Sequence, residues 1–162
     1  YMTFKKIFII LVSAFIFAQY LGVSHGAGGD DSSSNYLDKY KEAKKLVVRA
    51  KKLEEKNKTD RALKLYSKAL ENLRDAYKTD RNNPDILNYL GFTLRKTDKF
   101  EEAEKYYLAG LKIKPDHNGI NEYLGELYVK TGRMDLAKER LAVLKSCKCE
   151  EYGELKEVIE KN

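Results

Sequence analysis

The chain has 162 residues, of which 43% are hydrophobic and 35% charged, with 31 basic residues against 25 acidic ones, two Cys, two His and no Trp. That length is enough for one small domain. Basic and acidic residues alternate closely, as in Lys51-Lys52-Leu53-Glu54-Glu55-Lys56, which cancels the long-range field that phosphate binding relies on and argues against a nucleic-acid partner.

Residues 2–27 read as a targeting segment: Met2-Thr3-Phe4-Lys5-Lys6 is a basic start, Ile7 to Ala18 is apolar except for Ser13, and Gly22 to Ala27 is rich in small residues. Cleavage between Ser24 and Ala27 is expected, placing the mature chain in a periplasm or outside the cell. The alternative is an uncleaved inner-membrane anchor, because Ile7 to Val23 is at the lower limit for spanning a bilayer. Only in that case is a membrane a partner. Residues 28–35 (GGDDSSSN) read as a flexible linker by composition.

From Tyr36 to Lys56 the pattern is that of a long helix, with Tyr36, Tyr40, Ala43, Val47 and Ala50 on one stripe and Leu46 and Leu53 beside it. Thr59 or Asp60 is expected to cap the next helix, whose buried face is Ala62, Tyr66, Ala69, Leu73 and Ala76 or Tyr77, up to about Thr79. Residues 84–115 then carry two more apolar faces: Leu87, Leu90, Gly91 and Leu94, followed by Phe100, Ala103, Tyr107, Gly110 and Leu111. Asn83 suits the N-cap and Pro84 the first helical position. Asp98, with Glu101 three residues on, is expected to cap the second of these helices.

A shift of 34 residues brings Ile86 onto Ile120, Tyr89-Leu90-Gly91 onto Tyr123-Leu124-Gly125, Lys96-Thr97 onto Lys130-Thr131 and Ala103 onto Ala137. A fixed 34-residue period of helical hairpins marks a repeat architecture. Ala62 to Ala103 is 34 plus seven residues, so the first hairpin reads as the same unit extended by two turns. Residues 150–161 place Tyr152, Leu155, Val158 and Ile159 on one face of a short helix that can cap the stack.

These positions resemble the tetratricopeptide repeat family, and in particular its small exported bacterial members. The family's small eighth residue is met by Gly91 and Gly125, its small twentieth by Ala103 and Ala137, and its closing proline by Pro115. Departures are Asn121 in place of a large apolar residue, Gly110 and Leu144 in place of Ala, and Cys149 in place of a second closing proline. The resemblance implies an all-α fold, a short right-handed solenoid of antiparallel hairpins. Its units would span about 43–83, 84–117 and 118–149, with a capping helix at 150–161.

It also implies a function, the binding of a protein or peptide partner in a concave groove, with no cofactor and no catalysis. Helix positions that line that groove in the family fall on Asp85, Asn88, Phe92, Arg95 and Lys96, then on Gly119, Glu122, Glu126, Val129 and Lys130. Phe92 is set opposite Leu90 and Leu94, so by periodicity it is free to meet a partner. The family's clamp for C-terminal carboxylates is not matched, since Val47 and Lys51 occupy its positions in the first unit. The chain shows no nucleophile motif, zinc-ligand spacing or phosphate loop. Cys147-Lys148-Cys149 reads as a terminal turn with its thiols oxidised together or free. The alternative is a redox or Cu(I) thiolate pair in a thiol- or metal-handling factor, against which stand the strain of a one-residue spacing and the lack of a third ligand.

Overall fold

The computed structural model describes residues 29–162, and side chains from residue 35 onward. Seven helices occupy the described residues: α1 (Gly29–Glu54), α2 (Thr59–Thr79), α3 (Pro84–Lys96), α4 (Phe100–Ile113), α5 (Asn118–Lys130), α6 (Met134–Leu144) and α7 (Glu150–Glu160). The targeting segment expected at residues 2–27 lies outside the described residues. The linker expected at 28–35 is helical from Gly29, where α1 begins two turns before the predicted Tyr36. No helix among the described residues is long and apolar enough to cross a membrane.

Helices α1–α2, α3–α4 and α5–α6 pair as hairpins, and the hairpins stack into a helical solenoid. Helices α1, α3, α5 and α7 lie side by side as one layer, with α2, α4 and α6 behind them. The 34-residue period sets the helix starts: Pro84 to Asn118 for the front helices, Phe100 to Met134 for the rear ones. The core follows the predicted stripes. Ala43, Val47 and Ala50 of α1, Ala62, Tyr66, Ala69, Leu73 and Ala76 of α2, and Leu90, Ala103, Leu124 and Ala137 beyond are all buried. A Cβ on Gly91 would sit 2.4 Å from the Tyr107 ring, and one on Gly125 would sit 2.5 Å from Leu155. Glycine at the eighth position therefore lets a large side chain from a neighbouring helix, α4 for Gly91 and α7 for Gly125, seat against bare backbone.

The three hairpin turns are one structure repeated. Asn57, Asp98 and Gly132 each adopt a left-handed backbone, with φ of 54°, 59° and 74°. In each, the next amide donates back to a carbonyl five residues earlier: Lys58 to Leu53 (2.8 Å), Lys99 to Leu94 (2.9 Å) and Arg133 to Tyr128 (2.8 Å). This bonding satisfies the last carbonyls of the outgoing helix. It also corrects two expectations. Asp98 ends α3 rather than capping α4, and neither Thr59 nor Asp60 caps α2. The N-caps are Lys99 and Lys58, neither with a side-chain cap bond, because the turn is so short that the residue closing one helix adjoins the start of the next.

The turns between hairpins do use side-chain caps. Asn83 Oδ1 accepts from the amides of Asp85 (3.0 Å) and Ile86 (3.3 Å). Thirty-four residues on, His117 Nδ1 accepts from the Ile120 amide at 3.2 Å while its Nε2–H reaches Asp85 Oδ1 at 2.9 Å. Asn121, unexpected in an apolar position, is fully buried. It donates to the carbonyls of Pro115 and His117 and accepts from Arg140, so its amide ties the turn before α5 to α6.

Candidate functional site

The front layer carries the groove residues expected from the sequence, and the structure divides them into three groups. The first lies at the ends of α3 and α5. Arg95, Lys96, Glu126, Val129 and Lys130 line one open cavity of about 350 Å³, with Asp98, Phe100, Val158 and Asn162 completing its wall. Arg95 Nη1 pairs with Glu126 Oε2 at 2.6 Å, both side chains largely shielded, and Lys96 Nζ pairs with Glu54 Oε2 at 2.8 Å. Burial pulls the Arg95 pKa down, and Tyr107 and Glu126 beside it outweigh that and leave it raised. The guanidinium is therefore a permanent charge.

Phe92 forms the second group and corrects the expectation that it is free. It is 3% exposed, packing edge-on to Tyr66 (5.9 Å between centroids) and tilted against Tyr123 (4.8 Å). The physical reason is that α3 is flanked on both sides. Ile86 through Leu94 are all buried except Tyr89, an arc far wider than a single stripe. Phe92 acts from beneath the surface: Lys51, Arg95 and Lys96 stand 5.6 to 5.8 Å from its ring centroid, where the ring face attracts cations. Tyr66 donates to Glu54 Oε2 at 2.9 Å, so an aromatic floor holds an ordered set of charges.

The third group is polar and buried. Asn88 is 8% exposed and Glu122 2% exposed. Asn88 Oδ1 and Glu122 Oε1 have no hydrogen-bond partner, nor do Arg95 Nε and Tyr107 Oη. The Glu122 carboxyl is pushed up to about 10 by burial, by a hydrogen bond with Glu154 and by the carboxylates of Glu126, Glu154 and Glu151. Gly119 packs against Asn88. Asp85 stands apart at the start of α3, its exposed carboxylate engaged by His117. Cys147 and Cys149 are joined in a disulfide, so neither sulfur is a thiolate ligand. The described residues contain no group of three His, Cys, Asp or Glu able to hold a metal ion.

Sequence reasoning missed Glu54, Lys51, Tyr66 and Tyr123 as parts of this surface. Glu54 had a signal: the 41-residue shift that maps Ala62 onto Ala103 also maps Glu54 onto Arg95 and Asn57 onto Asp98.

The tetratricopeptide repeat family profile matches residues 53–120. Residues 53–120 carry tetratricopeptide-repeat sequence. The repeats are 32% identical over 71 residues to the human protein O-mannosyl-transferase TMTC3, an alignment covering 44% of this chain and 8% of that protein. They are 43% identical over 60 residues to the Arabidopsis thaliana protein POLLENLESS 3-LIKE 2, covering 37% of this chain and 14% of that one. The chain thus spans a small fraction of these relatives' length. Among solved structures, the first tetratricopeptide domain of Spaghetti (RPAP3), bound to the HSP90 peptide SRMEEVD, is similar. It is 20% identical with a TM-score of 0.47, covering 75% of this chain and 94% of that one. The three groups all lie on α3 and α5, the first helices of successive hairpins.

Proposed function

We propose that this tetratricopeptide chain is a non-catalytic scaffold that binds a peptide segment of a protein partner across the α3–α5 face. The observation that carries the reading is the open cavity where Arg95, Lys96, Glu126 and Lys130 converge. Arg95 and Glu126 are held by their ion pair, Lys96 by Glu54, and both cations by the ring of Phe92, so little ordering cost remains for these groups when a partner arrives. Apolar wall from Phe100, Val129 and Val158 beside charged groups suits a polar peptide with one apolar anchor. The test is selection of peptides from a displayed random library on the full chain. Enriched peptides should lose binding by about tenfold, roughly 1.4 kcal/mol, in Lys96→Met with Lys130→Met, a double variant whose melting temperature stays close to the parent's. No enrichment, or binding indifferent to that variant, overturns the reading.

The basic start and apolar run of residues 2–27 support export as the setting for this binding. The intact mass of the chain recovered from its native compartment tests that. A mature N-terminus between Ser24 and Ala27 is expected, and an intact segment points to anchoring.

A further inference from the structure

The outer face of α1 has a composition that the peptide-binding cavity does not explain. Ala43, Leu46, Val47 and Ala50 turn one side of this helix into the core, towards α2 and α3. At about 3.6 residues per turn, Lys41, Lys45, Val48 and Lys52 fall on the opposite side, with Lys44 and Arg49 at its margins. Leu37 lies about three turns before Val48 on the same stripe, and the two are 40% and 50% exposed. From Tyr36 to Lys52 the sequence holds seven basic residues against two acidic ones, Asp38 and Glu42, a net charge of +5. Those acids stand 3.9 Å from Lys41 and Lys45 with all four side chains largely in solvent, and such contacts hold a cation only weakly. Over residues 51–56 the signs interleave, whereas this stretch segregates them.

We infer that this face of α1 is a docking surface for an anionic lipid bilayer, with the helix lying along the headgroup layer. Lys41, Lys44, Lys45, Val48 and Arg49 line one shallow, open depression of about 560 Å³. Its floor is apolar at Val48, and the long stems of the surrounding lysines and arginine can lie along apolar surface while their charged ends reach phosphate. Leu37 and Val48 then point towards the acyl boundary and the cations towards the headgroups, the arrangement of an interfacial helix. A nucleic acid would supply the phosphates but no apolar layer for Leu37 and Val48, and this side of α1 carries no aromatic ring on which a base could stack. An acidic protein would match the charge alone. Chain order favours the bilayer, since residues 19–28 alone separate α1 from the apolar run at 7–18, and a chain held at or delivered through a membrane by that run brings α1 to its surface. The surface belongs to α1, so it is independent of the scaffold reading at α3 and α5.

The chain has no Trp, so Val48→Trp, at an exposed position, places a single indole reporter on this face of the full chain. The probes are vesicles of phosphatidylcholine containing roughly one-third phosphatidylglycerol, with pure phosphatidylcholine vesicles as the control. The expected result is a blue-shifted emission, quenched by brominated acyl chains, on the anionic vesicles and not on the neutral ones, reversed by high salt. Reading the indole rather than total binding keeps the result separate from any insertion of residues 2–27. Adding Lys41→Gln, Lys45→Gln and Arg49→Gln, all exposed positions, should raise the anionic lipid needed for half of the shift by about tenfold or more. No shift on anionic vesicles, an equal shift on neutral ones, or a shift indifferent to those three substitutions overturns the inference. So does tighter binding of polyglutamate or duplex DNA than of the vesicles at equal anionic charge, which would reassign the face to an acidic protein or to nucleic acid. Failure on any of these counts leaves peptide selection through Lys96 and Lys130 untouched, and failure of that selection leaves the α1 surface in place.

Discussion

Two helical glycines respond to substitution in opposite ways. Gly91 exists for the Tyr107 ring, a rigid and fully buried neighbour that cannot yield to a Cβ placed 2.4 Å away. Gly91→Ala should therefore destabilise by roughly 1–3 kcal/mol, whereas Gly153, with nothing within 4 Å in the middle of α7, should gain about 0.5–1 kcal/mol on changing to Ala. Urea unfolding of both variants measures the pair. Phe92→Ala should cost roughly 3–5 kcal/mol, as expected of a core aromatic, and calorimetry showing an unchanged melting temperature would contradict its burial. Glu122 gives a pH dependence whose sign is fixed by its environment. The unfolded chain ionises this carboxyl near its ordinary 4.5, while the folded chain keeps the proton up to about 10. The folded state binds more protons in that window, so this group's contribution to stability declines as pH rises from about 4.5 toward 10. Glu122→Gln, which mimics the protonated form, should raise the melting temperature at pH 8 by about 3 °C or more, with the difference shrinking toward pH 4.5.

At the scale of elements, the helices and their buried stripes were legible because apolar periodicity and the 34-residue shift report the same geometry. The repeat shift found Gly91, Gly125, Ala103 and Ala137, and all are buried against a neighbour. The Asn83 cap was legible, but the starts of α2 and α4 were not, since Asp98 followed by Glu101 has the composition of a capping box and only the backbone shows that Asp98 is left-handed. The burial of Phe92 escaped for a related reason. Periodicity describes one helix at a time and cannot see that α2 and α5 close over α3 from both sides. Glu122 was legible as a groove position but its burial was not, because α7, which packs against α5, was read only as a cap. The turn itself is testable: Asp98→Gly should stabilise by about 0.5–1 kcal/mol, as glycine adopts the left-handed conformation freely. A loss of stability in denaturant titration would show that the Asp98 side chain does something the backbone does not require.

Across the whole molecule, the front layer changes character along the stack. Lys51, Arg95 and Lys96 gather over the Phe92 ring at α1 and α3, Lys130 joins the cavity at the end of α5, and α5 carries the buried Glu122. The rear helices α2, α4 and α6 offer surface ion pairs such as Arg74–Glu102 and Lys78–Asp75, which contribute little and recognise nothing in particular. The central claim is that binding belongs to the front layer. Hydrogen exchange of the full chain, measured with and without a library-selected peptide, tests it most directly. Slowed exchange confined to α3, α5 and α7 is the predicted result, and protection falling on α2, α4 and α6 instead would contradict the account.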